Sequence, residues 1–200
     1  VERDRPLALV ESQRIAADVA RALAHAHARR VHHRDLRPKH IIITPAGAVV
    51  ARLGLADALS ASAGPGGEGP DDTGVLIGAP AYLSPEQLAG EASDGPRSDI
   101  YSLGCVLYEM VTGEPPFGGR GRGLIARKLT EPAPSVRNIR DGVPEELDQL
   151  IRRCLARTPT DRYQTAEELA EALDRARATL SRREAPARVS GRAVEISDSG

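Results

Sequence analysis

The chain has 200 residues, 40% of them hydrophobic and 28% charged, which suits one globular domain with a sizeable core and a tail. Lys and Arg number 27 against 28 Asp and Glu, for a net charge of -1, so no bulk field favours nucleic acid or an anionic membrane. No apolar run approaches the roughly 18 to 20 residues of a membrane span, and the start Val1-Glu2-Arg3-Asp4-Arg5 is unlike a signal peptide, so a cytoplasmic location is expected.

From about Glu11 to Arg30, Ile15, Val19 and Leu23 recur at four-residue spacing among alanines, which predicts an amphipathic, core-facing helix. Periodicity is lost over Val31 to Arg37. The runs Ile41-Ile42-Ile43 and Ala48-Val49-Val50 then flank Thr44-Pro45-Ala46-Gly47, which predicts a short hairpin. Residues 60 to 74 are Gly, Ser, Pro and Asp rich and are expected to form a mobile loop. Gly64, Gly66 and Gly69 match G-x-G-x-x-G there, but no strand precedes them and no helix follows, so a phosphate cradle is rejected.

Ser84-Pro85-Glu86-Gln87 reads as a capping box opening a short helix. Residues 99 to 112 are apolar on most sides, predicting a helix buried almost all round and stopped by Gly113. A short helix around Leu124 to Leu129 follows. Pro144 then opens a helix with Leu147, Leu150, Ile151, Cys154 and Leu155 on one face. Thr165 and Glu168 suggest a second capping box for a final helix carrying Leu169, Leu173 and Leu180. Folded structure is expected over 1–178, with a polar, disordered tail over 179–200. Cys105 and Cys154 fall within apolar helical patterns and are expected as buried, reduced core residues.

Four segments stand in a fixed order: His33-Arg34-Asp35, Gly78-Ala79-Pro80-Ala81-Tyr82-Leu83-Ser84-Pro85-Glu86, Ser98-Asp99-Ile100-Tyr101-Ser102-Leu103-Gly104 and Asp161-Arg162-Tyr163. Together they resemble the C-terminal lobe of bacterial, eukaryotic-like Ser/Thr protein kinases. The resemblance implies a mainly α fold with a short β-hairpin at the catalytic loop, an activation-loop-like segment over 54–86, and an N-lobe absent from this chain and encoded upstream. It implies ATP and magnesium as cofactors and a protein partner or protein substrate. Asp35 stands where the base accepts the acceptor hydroxyl's proton, Arg34 where a phosphorylated activation loop is gripped, and Arg37 where a lysine is usual. His33 belongs to the same loop, Asp99 would brace it from the buried helix, and Glu86 would pair with Arg162.

The departures concern the metal. In the family, an Asn of the catalytic loop and the Asp of D-F-G hold two magnesium ions. Here the first position is His40, and Arg52-Leu53-Gly54 stands where D-F-G is expected. A neutral imidazole is a poor ligand for a hard cation, and a guanidinium has no acceptor at all. Ala79 also removes the hydroxyl of the family's G-T-P. Neither of the two lysines, Lys39 and Lys128, can be the strand lysine that the family's ATP site needs, because both lie in or after the catalytic loop. Magnesium binding is therefore doubtful, and a pseudokinase acting as a signalling or binding module is expected. The alternative is an active Ser/Thr kinase once an N-lobe is supplied, with Ser60, Ser62 and Thr73 as candidate phosphoacceptors.

Overall fold

The computed structural model describes residues 6–55, 80–91, 95–119 and 121–184. Ser60, Ser62, Thr73, the glycines of the G-x-G-x-x-G match and Ala79 lie outside the described residues. The described chain is mostly helical, with α1 (Leu9–His27), α2 (Pro85–Leu88), α3 (Gly95–Thr112), α4 (Gly121–Thr130), α5 (Glu145–Cys154) and α6 (Ala166–Glu184). One two-stranded antiparallel sheet joins β1 (Ile41–Thr44) to β2 (Gly47–Val50).

Helix α1 forms because alanines and Ile15, Val19 and Leu23 line one face, and all three apolar residues are buried against α3 and α6. Its solvent face is tied by Arg14, which bridges Glu11 at 2.7 Å and Asp18 at 3.2 Å. The helix stops at His27 rather than running to Arg30, because the chain closes back through Val31 N–H to Ala26 O at 3.0 Å and Arg30 turns left-handed at φ 59°. Asp18 also reaches the hairpin, its carboxylate accepting from Ala48 N–H at 3.2 Å. The hairpin register is Ile41 with Val50, Ile42 with Val49, Ile43 with Ala48 and Thr44 with Gly47, so Pro45 and Ala46 make the turn as expected.

Helix α3 is the pillar. Ser98 through Tyr108 are buried without interruption, and the helix begins at Gly95, earlier than the Asp99 start expected from the apolar pattern. The polar first turn hid that start from periodicity. Gly104 lets α3 touch α5, since a Cβ there would lie 2.6 Å from Cys154 Cβ. Leu147, Leu150, Ile151, Cys154 and Leu155 are buried from the α5 side as their spacing required. Both cysteines are free and buried, and burial pushes the Cys105 thiol up to about 11.

Ser84 caps α2 with the full reciprocal box. The second box is half formed: Glu168 N–H donates to Thr165 Oγ1 at 3.0 Å, but the Glu168 carboxylate accepts from Gln164 N–H at 2.9 Å and pairs with Arg153. Helix α6 extends to Glu184, past residue 178, because its last turns are rich in Ala, Arg and Leu with high helix propensity. Among the described residues, no helix is long and apolar enough to cross a membrane.

Candidate functional site

The 33–40 loop sits on the N-terminal half of α3 and is held there by one side chain. Asp99, fully buried, accepts from His33 N–H at 2.8 Å, Arg34 N–H at 2.8 Å and His27 Nε2 at 2.9 Å. A buried carboxylate satisfied by three donors is stable where it stands, and it fixes the backbone entering Asp35. Arg34 takes up the strained part of this turn, with φ 60°, and its carbonyl accepts from Gln87 Nε2 at 2.9 Å. The loop is thus joined to α2 as well as to α3.

Two imidazoles line the loop, stacked with ring centroids 5.4 Å apart. His33 Nε2 lies 3.1 Å from the carbonyl of Ala51, which can only accept, so Nε2 carries the hydrogen. His40 Nδ1 lies 2.8 Å from Asp35 O, so there the hydrogen sits on Nδ1 and Nε2 is a bare lone pair, buried and without a hydrogen-bond partner. Burial pulls the His40 pKa down and keeps the ring neutral, outweighing the help from the Asp35 carbonyl and carboxylate. The Asp35 carboxylate is partly exposed and pairs with Arg37 Nη2 at 3.1 Å.

Arg52 adjoins this group through the backbone. Ala51 N–H donates to His40 O at 2.8 Å, and Ala51 O meets His33, which places residue 52 one step from both rings. Arg52 is exposed, stands at φ 65°, and forms no ion pair among the described residues. A non-glycine residue in this left-handed region costs on the order of 1 to 3 kcal/mol and persists only where its surroundings over-determine it; such strain clusters at functional sites. Arg34 and Arg52 both carry it.

The donors present do not fit magnesium. The hard cation asks for near-octahedral oxygen ligation, whereas His40 offers one imidazole nitrogen, Arg52 offers a positive charge, and the one carboxylate, Asp35, is shared with Arg37. Among the described residues, no group of three or more His, Cys, Asp or Glu is placed to hold a metal ion.

Below the loop lies a second set of buried charges. Arg162, fully buried, uses all five of its N–H donors: Nη1 and Nη2 bind the two oxygens of Glu86 at 2.7 and 2.8 Å, and carbonyls of Ala156, Arg97 and Arg157 take the others at 2.8 to 3.0 Å. Burial would push Glu86 up, but Arg162 and the Ser98 hydroxyl at 2.6 Å outweigh it and hold the carboxyl at about 2. Glu86, Asp99 and Arg162 therefore shape the ground beneath the loop, while His33, Asp35, Arg37 and His40 are brought together above it, with Arg52 at its edge.

Lys128 is the residue that sequence reasoning passed over. Its place in the sequence excludes it as the ATP-site lysine; it is fully buried on α4 and donates to the carbonyls of Pro80, Ala81 and Leu83 at 3.0, 2.8 and 2.6 Å. All three ammonium hydrogens are used, and burial pulls its pKa down. Tyr101 lies between the two buried cations, its ring centroid 5.1 Å from Lys128 Nζ and 4.9 Å from Arg162 Cζ. The one available signal was a lysine four residues after Leu124 on the face that docks the helix.

The protein kinase domain family model matches residues 1–173. The serine/threonine-protein kinase PknB of Mycolicibacterium smegmatis is 42% identical over 172 residues, covering 84% of this chain and 27% of the relative. The PknB of Mycobacterium leprae is 39% identical over 171 residues, covering 84% of this chain and 26% of the relative. The chain thus spans about a quarter of the length of the curated relatives it matches.

Proposed function

The chain belongs to the protein kinase domain family, and on that premise we propose that it is a catalytically deficient, Ser/Thr-type member acting as a signalling or binding module. The observation that carries this reading is Arg52, whose backbone adjoins the His33–His40 stack, whose guanidinium has no ion pair among the described residues, and which stands at the position of the family's D-F-G aspartate. Phosphoryl transfer depends on metal charge to neutralise the phosphates and align them. A cation and a neutral imidazole at the two ligand positions take that away. What is retained is a scaffold that presents loops, and its partner is a protein. Residues 1–178 form the kinase-like unit in this reading, with an N-lobe supplied upstream.

A second reading, an active kinase transferring the ATP γ-phosphate to protein hydroxyls, is favoured by one observation. Asp35 keeps its backbone brace and its cationic neighbour, Arg37, at 3.1 Å. Radiolabel transfer from ATP to a general protein acceptor, with magnesium or manganese present and an N-lobe supplied, separates the two. No transfer above the Asp35→Asn variant is expected. Transfer that Asp35→Asn abolishes would establish the second reading.

A further inference from the structure

The far end of α5 gathers positive charge around a cavity that the 33–40 loop does not reach. Arg152 and Arg153 stand in the last turn of α5, and Leu155-Ala156-Arg157 leads the chain away from it. With the segment after α4 they enclose about 390 Å³, with Pro132, Ala133 and Leu155 as an apolar floor and Arg152, Arg153 and Arg157 as the rim. Ligand sites commonly span roughly 300 to 1,000 Å³. No Asp or Glu lines the cavity among the described residues.

Its wall is fixed from within the core. The buried Arg162 guanidinium donates to Ala156 O at 2.8 Å and to Arg157 O at 2.9 Å, and Arg157 Nη1 donates to Thr130 O at 3.0 Å, which ties the wall to the end of α4. Arg153 is partly used, pairing with Glu168 at 2.9 Å while its guanidinium carbon lies 4.1 Å from the Tyr163 ring centroid. Arg152 is exposed and has no ion pair among the described residues. Guanidinium forks pair bidentately with carboxylates, and an apolar floor beneath them takes an apolar side chain. No aromatic side chain lines the cavity to stack a base, and a net charge of -1 gives no bulk field for nucleic acid.

We infer that this cavity docks an acidic segment of a partner protein, with Asp or Glu carboxylates on the Arg152, Arg153 and Arg157 rim and one apolar side chain on the Pro132, Ala133 and Leu155 floor. The inference rests on the reading above for the partner being a protein, and it supplies the chemistry by which that partner is chosen. Charge matched across a rim sets partner choice and speeds encounter, while the buried floor slows release.

The test is fluorescence anisotropy of a fluorescein-labelled peptide, Glu-Glu-Leu-Glu-Glu, titrated with the 200-residue chain. Saturable binding is expected, weakened by added salt because the rim is exposed. Replacing every glutamate by glutamine should weaken it about tenfold or more, and replacing the leucine by glycine should weaken it by a smaller factor. Arg152→Glu should abolish binding, as should Ala133→Glu from the floor, whereas Arg29→Gln, on the exposed turn after α1, should change nothing. Arg152→Glu should melt with the parent, since that side chain is exposed. No saturable binding, a glutamine peptide that binds as well, an unaltered Arg152→Glu variant, or an equal loss in Arg29→Gln would each overturn the inference. Displacement of the peptide by an equal concentration of inorganic phosphate or of a single-stranded oligonucleotide would also overturn it, assigning the cavity to a small anion or to nucleic acid. A dimer on sedimentation that Arg152→Glu dissolves would overturn it in favour of a second copy of the chain. The radiolabel assay reads transfer and this titration reads docking, so either can fail without the other.

Discussion

Two regions of the molecule handle charge in opposite ways. Beneath the loop, Arg162, Lys128 and Asp99 are fully buried, and their hydrogen-bonding groups are matched by Glu86, by backbone carbonyls or by backbone N–H groups. At the loop and hairpin, Arg52 is exposed, it and His40 Nε2 have no partner among the described residues, and the hairpin leaves Ile42 52%, Val49 50% and Ile43 43% exposed. Substituting one member of the lower set strands its partner in a dry interior, a charge for Arg162 and backbone polar groups for Lys128 and Asp99. Substituting the exposed members of the upper set, Arg52 and the outward hairpin residues, should leave the fold unharmed. In the proposed reading, this contrast lets a chain keep the architecture of its family while the residues at its loop differ.

Breaking the lower set should have the largest effect. Arg162→Ala leaves Glu86 buried and unpaired and is expected to cost about 3 to 5 kcal/mol, seen as a large fall in melting temperature or as insoluble protein; a parental melt would refute the contrast. Acid should act on the same pair. With its folded pKa near 2 and an ordinary value of 4.5, Glu86 adds stability that is complete above pH 4.5 and is lost as pH falls toward 2. The loss amounts to about 3 kcal/mol on a denaturant titration series, and a Glu86→Gln, Arg162→Met double variant should flatten it.

Lys128→Met should be milder. It strands carbonyls at about 1 to 3 kcal/mol while relieving the burial of a charge, and hydrogen exchange should quicken over 80–91 while α1 and α6 keep their protection. Uniform acceleration along the chain would instead mark Lys128 as a general stability residue. The smallest effect belongs to the upper region. Ile42→Thr and Val49→Thr, both on the exposed face, should each shift chemical denaturation by no more than about 0.5 kcal/mol.

The same contrast decides what the sequence could tell. Elements whose signals are local were readable: the Ser84 capping box, the turn at Pro45-Ala46, the apolar face of α5 and the all-round burial of α3. Ends set by unusual backbone were not, since nothing in Arg30 announces a left-handed turn. The partnership of Glu86 and Arg162 could be anticipated from ordered motifs, though composition gives no hint of two residues so distant in sequence. The His27 contact to Asp99 and the Lys128 contacts to Pro80, Ala81 and Leu83 were invisible, because one polar residue on a helix leaves no periodic trace. The orphaned nitrogen of His40 likewise depends on which way the ring turns, a matter of tertiary contact with the Asp35 carbonyl.

The buried position of Lys128 has one practical consequence. The chain contains two lysines, Lys39 exposed in the loop and Lys128 enclosed under 80–83. An amine-acylating reagent acts on the neutral amine and must reach it, so in the folded protein it should mark the lysine at Lys39 and spare the one at Lys128. Appearance of an adduct on the Lys128 peptide by mass spectrometry would then time the opening of the α4 contact, while the adduct at Lys39 deposits a reporter group within the 33–40 loop.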